Sequence, residues 1–225
     1  HFNEQQLSMT IWAFATAGHR SPDLFHAISA EAARRRLSGF GEQHLSNMAW
    51  AFAVLDPPAV DELFGSVIFT TRCANLESSF SLAELSQLHQ WSLWRAERGA
   101  LWPGLPPSLR QACRNAFVED EGQSSKLQSE VVREIRSRGA LVKEEYRCKI
   151  SGYSIDAHVT LNDGKLLAVE VDGPSHFLGR SRVPTGATLL KHRQLRYVGW
   201  WLESVRYWEW ESSKALPWFP SGPLS

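Results

Sequence analysis

The first half of the chain repeats itself, and the repeat restricts that half to stacked pairs of helices. Three segments begin alike: Phe2-Asn-Glu-Gln-Gln-Leu7-Ser8-Met-Thr-Ile11-Trp12-Ala-Phe14-Ala15, then Phe40-Gly-Glu-Gln-His-Leu45-Ser46-Asn-Met-Ala-Trp50-Ala-Phe-Ala, then Phe80-Ser-Leu-Ala-Glu-Leu85-Ser86-Gln-Leu-His-Gln-Trp91. Their starts lie 38 and then 40 residues apart, a period typical of helix-pair repeats. Leu7, Leu45 and Leu85 share one slot, and Ser8, Ser46 and Ser86 the next. Trp12 and Trp50 match, while Trp91 comes one position late, the divergence common in a terminal repeat. Leu7, Ile11, Phe14 and Ala15 recur at helical spacing, and second helices are expected over residues 23–37 and 61–72. Asp56-Pro57-Pro58 breaks the chain between helices. The tryptophans read as core packing, with base stacking as the alternative. Such a stack offers a long surface for something extended, RNA or protein.

Composition closes off several classes. Lys plus Arg and Asp plus Glu both number 24, so bulk charge predicts no acidic partner and any nucleic-acid contact must be local. Cys73, Cys113 and Cys148 are far apart and read as reduced core or surface thiols. No run of about 18 apolar residues exists, so no membrane span is expected. The chain begins at His1 and reads as a fragment, with any targeting segment outside it. Residues 101–125, with Pro103, Pro106, Pro107 and Gly122, read as a connector holding one short helix near 108–117.

Chemistry concentrates in the last third. Residues 125–138 read as a helix, with Leu127, Val131 and Ile135 every four residues, Gly139 as its stop, and Glu130 and Glu134 one turn apart. Strands are expected over 146–150, 153–161 and 165–171, with Asn162-Asp163-Gly164 as a hairpin loop. Setting Leu161 opposite Lys165 puts Asp156 opposite Glu170, and strand alternation puts Asp172 on the same face as Glu170. Three carboxylates at one end of an apolar hairpin are expensive to desolvate. A hard divalent cation, Mg²⁺ or Mn²⁺, held by Asp156 and Glu170, would offset that and would suit phosphodiester hydrolysis. His176 would move protons or bind phosphate. The competing reading pairs Glu170 and Asp172 with nearby Arg or Lys simply to fix the turn.

No acidic residue falls between Asp172 and Glu203, where Arg180, Arg182, Lys191, His192, Arg193 and Arg196 form a basic stretch expected to contact RNA phosphates. Residues 185–197 read as a helix with Ala187, Leu190, Tyr197 and Val198 on one face. A strand over 200–205 follows, then the aromatic stretch Tyr207-Trp208-Glu209-Trp210, read as core or edge packing.

These residues resemble the RAP domain, a module of organellar RNA-metabolism proteins. The likeness runs through Ser125-Lys-Leu-Gln-Ser-Glu130-Val131, Ile155-Asp156-Ala157 and Ala168-Val-Glu170-Val-Asp172-Gly-Pro-Ser-His176-Phe177. It continues in Pro184-Thr-Gly-Ala-Thr-Leu-Leu-Lys191, Leu195, Gly199 and Val205-Arg-Tyr-Trp-Glu-Trp210. The repeats upstream resemble octotricopeptide or FAST-type helical repeats. The RAP domain is in turn similar to PD-(D/E)xK, mismatch-repair-type endonucleases. That likeness implies Asp156 and Glu170 as a metal pair, Glu130 as the helix acid and His176 as a site histidine, with Asp172 where the superfamily carries lysine.

The expected fold is α+β overall: an N-terminal α-solenoid of helix-pair repeats over 1–119, then a small α/β, restriction-endonuclease-like domain over 120–225. The resemblance implies an RNA-binding factor of mitochondrion or plastid, acting on a single-stranded organellar transcript or rRNA in processing, stability, translation or ribosome assembly. Two alternatives stand beside it. One is a metal-dependent endoribonuclease using Asp156, Glu170 and Asp172. The other is a structural subunit of an organellar ribosome, with ribosomal proteins as partners.

Overall fold

A computed structural model describes residues 2–58, 60–119, 124–161 and 163–219. Asn162, the first residue of the expected hairpin loop, and Gly122 of the expected connector lie outside the described residues. The chain is α+β and divides into two compact units: His1–Asp120 with Thr185–Leu190, and Glu121–Pro184 with Lys191–Ser225.

The helical unit contains α1 (Glu4–Thr16), α2 (Pro22–Arg34), α3 (Glu42–Leu55), α4 (Asp61–Phe64), α5 (Ile68–Asn75), α6 (Leu82–Glu97) and α7 (Pro107–Glu119). The three repeat starts become α1, α3 and α6, which pack in series, α1 on α3 and α3 on α6. All three begin with the same fold-back, made by different residues. The N-cap amide of Asn3 donates to Gln6 Oε1 at 3.0 Å, that of Gly41 to His44 Nδ1 at 3.1 Å, and that of Ser81 to Glu84 Oε2 at 2.7 Å. Each fold-back satisfies a helix-end donor that has no partner within the helix.

The repeated slots supply the core. Leu7, Leu45 and Leu85 are buried, as is Ser8 with Ser46, whose hydroxyls donate back to the carbonyls of Gln5 and Gln43. Trp50, Trp91, Trp94 and Trp102 are all buried. Trp91, Trp94 and Trp102 join a run of mostly edge-to-face rings through Phe25, Phe52, Phe64 and Phe69, while Trp50 meets Trp12 with ring centres 6.4 Å apart. Stacked among one another, these indoles serve packing, as the apolar spacing predicted.

Two expectations for this unit need correction. The second helix expected over 61–72 is split into α4 and α5, with Gly65, Ser66 and Val67 between them. The helix placed in a connector is α7, longer than expected. It packs along α6 and buries Leu109, Cys113 and Ala116 in the same core, so it completes a third helix pair.

The second unit contains α8 (Lys126–Ser137), β1 (Leu141–Arg147), β2 (Ser154–Thr160), β3 (Leu166–Asp172), β4 (Leu202–Arg206) and α10 (Tyr207–Ser213), while α9 (Gly186–Tyr197) has residues in both units. The sheet order is β1-β2-β3-β4, antiparallel except that β3 and β4 run parallel. The expected strand 146–150 begins earlier, at Leu141, and ends at Arg147. Tyr207-Trp208-Glu209-Trp210 is helical and buries Trp210.

The sheet has two unlike faces. Ala157 and Val159 of β2, Leu167, Val169 and Val171 of β3, and Val205 of β4 form a core with Val131, Val132 and Ile135 of α8. The alternate residues Asp156, His158, Glu170, Asp172 and Ser204 point to the opposite face. Cys73, Cys113 and Cys148 are buried and unbridged, and burial pushes the Cys113 thiol up to about 12. No helix among the described residues is long and apolar enough to cross a membrane.

Candidate functional site

The hairpin register holds: Ala157 pairs with Val169 and Thr160 with Leu166, the alignment that sets Leu161 against Lys165. Leu161 N–H donates to the Lys165 carbonyl at 2.9 Å. One step further the ladder stops. Asp156 Oδ2 accepts the Val171 N–H at 2.7 Å. The carboxylate thus takes a donor that the neighbouring strand would otherwise use. Gln128 of α8 holds the same stretch by donating to the Asp156 carbonyl at 3.2 Å and to Glu145 Oε1 at 2.7 Å.

Glu170 and Asp172 are both buried on β3, but their surroundings differ. The Lys191 ammonium, arriving from α9, stands 2.5 Å from Glu170 Oε2. Asp172 accepts from His176 Nδ1 at 2.8 Å and from the Ser204 hydroxyl, and His192 Nε2 lies 3.5 Å away. Ser204 arrives through the parallel pairing of β4, which aligns it with Glu170.

Burial pushes the Glu170 carboxyl up to about 8, against the pull of Lys191. Burial also raises Asp156, opposed by Lys191 and the Val171 amide. At Asp172 burial pulls upward too, but hydrogen bonds from His176, His192 and Ser204 together outweigh it and hold the carboxyl well below its usual range. Burial alone would lower the Lys191 ammonium, yet Glu170, Asp156 and Asp172 keep it above its usual value. One protonated amine therefore serves three carboxyls.

That arrangement does not fit the divalent cation expected between Asp156 and Glu170. The ammonium already holds Glu170, and Asp156 spends one oxygen on a backbone amide. No group of three or more His, Cys, Asp or Glu able to hold a metal occurs among the described residues. Glu130 is not brought to the cluster. It sits on α8, which covers the apolar face, and its Oε2 accepts from Trp210 Nε1 at 3.3 Å and Lys214 Nζ at 3.4 Å. Asp156, Glu170, Asp172 and His176 are brought together.

A profile of the RAP domain matches residues 169–215. The chain carries a RAP domain. The matched span runs from β3 through α9 and β4 to the end of α10, so it takes in Glu170, Asp172, His176, Lys191 and Ser204 and leaves Asp156 just outside. A protein of Oryza sativa subsp. japonica described as "RAP domain-containing protein, chloroplastic" is 32% identical over 183 residues. The alignment covers 77% of this chain but 28% of the rice protein, so the chain spans less than a third of that relative. Its length exceeds the matched RAP span, so the likeness reaches back into the preceding residues.

Within the RAP domain the expected basic set divides in two. Lys191 and His192 face the buried carboxylates and are not free for phosphate. Arg193 is half-buried and engaged. Arg180, Arg182 and Arg196 are exposed, with no acidic partner among the described residues. By contrast Arg136, Arg138 and Arg206 each pair with a glutamate.

Of the face expected on α9, Leu190 is buried and Val198 partly so, but Ala187 and Tyr197 are exposed, and Gln194 and Leu195 are buried instead. Lys191 lies three and four residues before Gln194 and Leu195, on their side of the helix, and that spacing was the available signal of its inward direction. Ser204 and the Val171 amide carried no such signal, because both depend on how strands pair.

Proposed function

We propose that this chain is an RNA-binding factor of plastid RNA metabolism that holds RNA without cutting it. The RAP domain and the chloroplast in the rice relative's name support the setting. The observation that carries the choice of binding over cleavage is the Lys191 ammonium against Glu170, where a hydrolytic metal would have to stand. The unpaired Arg180, Arg182 and Arg196 are the groups we assign to RNA phosphates, and the helical repeats we assign to a single strand. The processing, stability or translation step served by such binding follows from the RNA bound.

A salt titration of single-stranded RNA binding by the 225-residue chain tests this. The logarithm of affinity should fall linearly with that of salt, and replacing Arg180, Arg182 and Arg196 with alanine should flatten the slope by up to about 2. The RNA should stay intact with Mg²⁺ or Mn²⁺. Binding that ignores salt, or no binding, overturns the proposal. Metal-dependent cleavage lost in Asp156→Ala would establish the endoribonuclease instead.

A further inference from the structure

A short loop beyond the carboxylates is built around arginines with no acidic partner among the described residues. Its ends are tied by a bridge between Phe177 and Pro184 and by Leu178 N–H donating to the Val183 carbonyl at 2.9 Å. Ser181 N–H closes the turn on the Leu178 carbonyl at 2.9 Å, and Gly179 takes the left-handed φ of 53° that the turn requires. The loop presents Arg180 and Arg182, both exposed. The Arg182 guanidinium lies over the indole of Trp208, 5.3 Å from the ring centre. Trp208 is itself fixed by buried Phe177, ring centres 4.5 Å apart, and by Tyr207 at 5.0 Å.

We infer that Arg180, Arg182 and Trp208 form a binding site for one unpaired nucleotide of an RNA strand. The inference rests on the RNA-binding reading above and specifies what that surface takes. The indole restrains Arg182 before any ligand arrives, so less side-chain freedom is lost on binding. Two guanidinium groups with no acidic partner among the described residues call for an anion, which a phosphate supplies with bidentate geometry. The planar guanidinium and indole add a stacking surface, which an acidic peptide would leave unused. A base inside a duplex keeps its faces against its neighbours, so only an unpaired one can stack there.

The test compares a short fluorescently labelled RNA, single-stranded or annealed to its complement, by anisotropy against the full chain. The single strand should bind the wild type more tightly than the duplex. Trp208→Ala and Arg182→Ala should each weaken single-strand binding by about fivefold or more, the scale of one lost base stack. Duplex binding should respond to Arg182→Ala far more than to Trp208→Ala. Trp208→Phe, which keeps a ring against Phe177, should retain most of the affinity and controls for a fold defect. A wild type that binds RNA equally in both forms, or a folded Trp208→Ala with unchanged single-strand affinity, overturns the nucleotide site and leaves RNA binding standing. A wild type that binds neither RNA overturns both. Competition by a polyglutamate peptide that is equally sensitive to Trp208→Ala would assign the surface to acidic protein instead.

Discussion

Lys191 of α9 places its ammonium 2.5 Å from Oε2 of Glu170 on the inner strand β3, and the carboxylate it meets is fully buried. The sheet thereby gains a cation inside its polar face. Removing one partner strands the other. Lys191→Met should destabilise the fold by up to about 3–5 kcal/mol above pH 8, where Glu170 is ionised and one member of a buried pair is left uncompensated, and by less at lower pH, where Glu170 keeps its proton. Pairing it with Glu170→Gln should recover part of the loss. Urea unfolding of the two singles and the double measures the coupling, and additive losses would show that the contact is energetically idle.

Stability should also depend on pH through Glu170. Its folded value of about 8 lies above the ordinary 4.5. Between those values the folded chain keeps a proton that the unfolded chain has released. The contribution is therefore fully present below 4.5 and declines as pH rises through about 8. Asp172 works the other way: its lowered folded value gives stability that is present above 3.8 and lost as pH falls below it. Thermal melts of wild type and Glu170→Gln across this range should show the variant with the shallower decline toward pH 8. Parallel curves would mean that the carboxyl titrates normally.

The helical unit offers an independent check. Asp56 closes α3 in the left-handed region, at φ 47°, and its Oδ1 accepts from Trp94 Nε1 at 2.8 Å and from Arg98 at 2.6 Å. It ties the second repeat to the third. Asp56→Ala leaves the buried Trp94 indole N–H without that acceptor and puts a β-carbon with no compensating side chain in a strained conformation. A loss of about 2 kcal/mol is expected, discounted because the carboxylate is partly exposed. Asp56→Asn tolerates the backbone and keeps an acceptor, so it should lose less. Equal losses in the two variants would point away from the indole contact.

These particular residues also mark where the sequence was legible. The repeat starts and the β2–β3 register were readable because each rests on neighbours in the chain: the recurring Leu-Ser slots and a tight turn after Leu161. The inward direction of Lys191 is only faintly legible, since a lysine on a helix normally faces water and its spacing to Gln194 and Leu195, both buried, is the one sign against that. Strand β1 was misplaced because Lys143, Glu144 and Glu145 look like loop residues. They are exposed on an edge strand, where charge is tolerated. The segment 207–210 has strand-forming aromatics but folds as a helix, with Trp210 buried against the α8 face.

The resident ammonium also predicts how metal binding can be unmasked. In the wild type Mg²⁺ or Mn²⁺ must displace Lys191 from Glu170, so neither ion should raise the unfolding temperature, and a chelator should not weaken RNA binding. Lys191→Ala removes that competitor and leaves the Asp156 and Glu170 carboxyls without the cation that offsets them, while Asp172 keeps His176 and Ser204. Carboxylates left in this state attract a hard cation, and a ligand bound only by the folded form stabilises it. The variant should therefore melt lower than wild type without metal and regain stability as Mn²⁺ is added. A further Asp156→Asn change should abolish that regain. Differential scanning calorimetry with and without Mn²⁺ reads all three proteins. A wild type stabilised by Mn²⁺ as strongly as the variant would mean that the ammonium yields to metal and no longer stands in the way of cleavage.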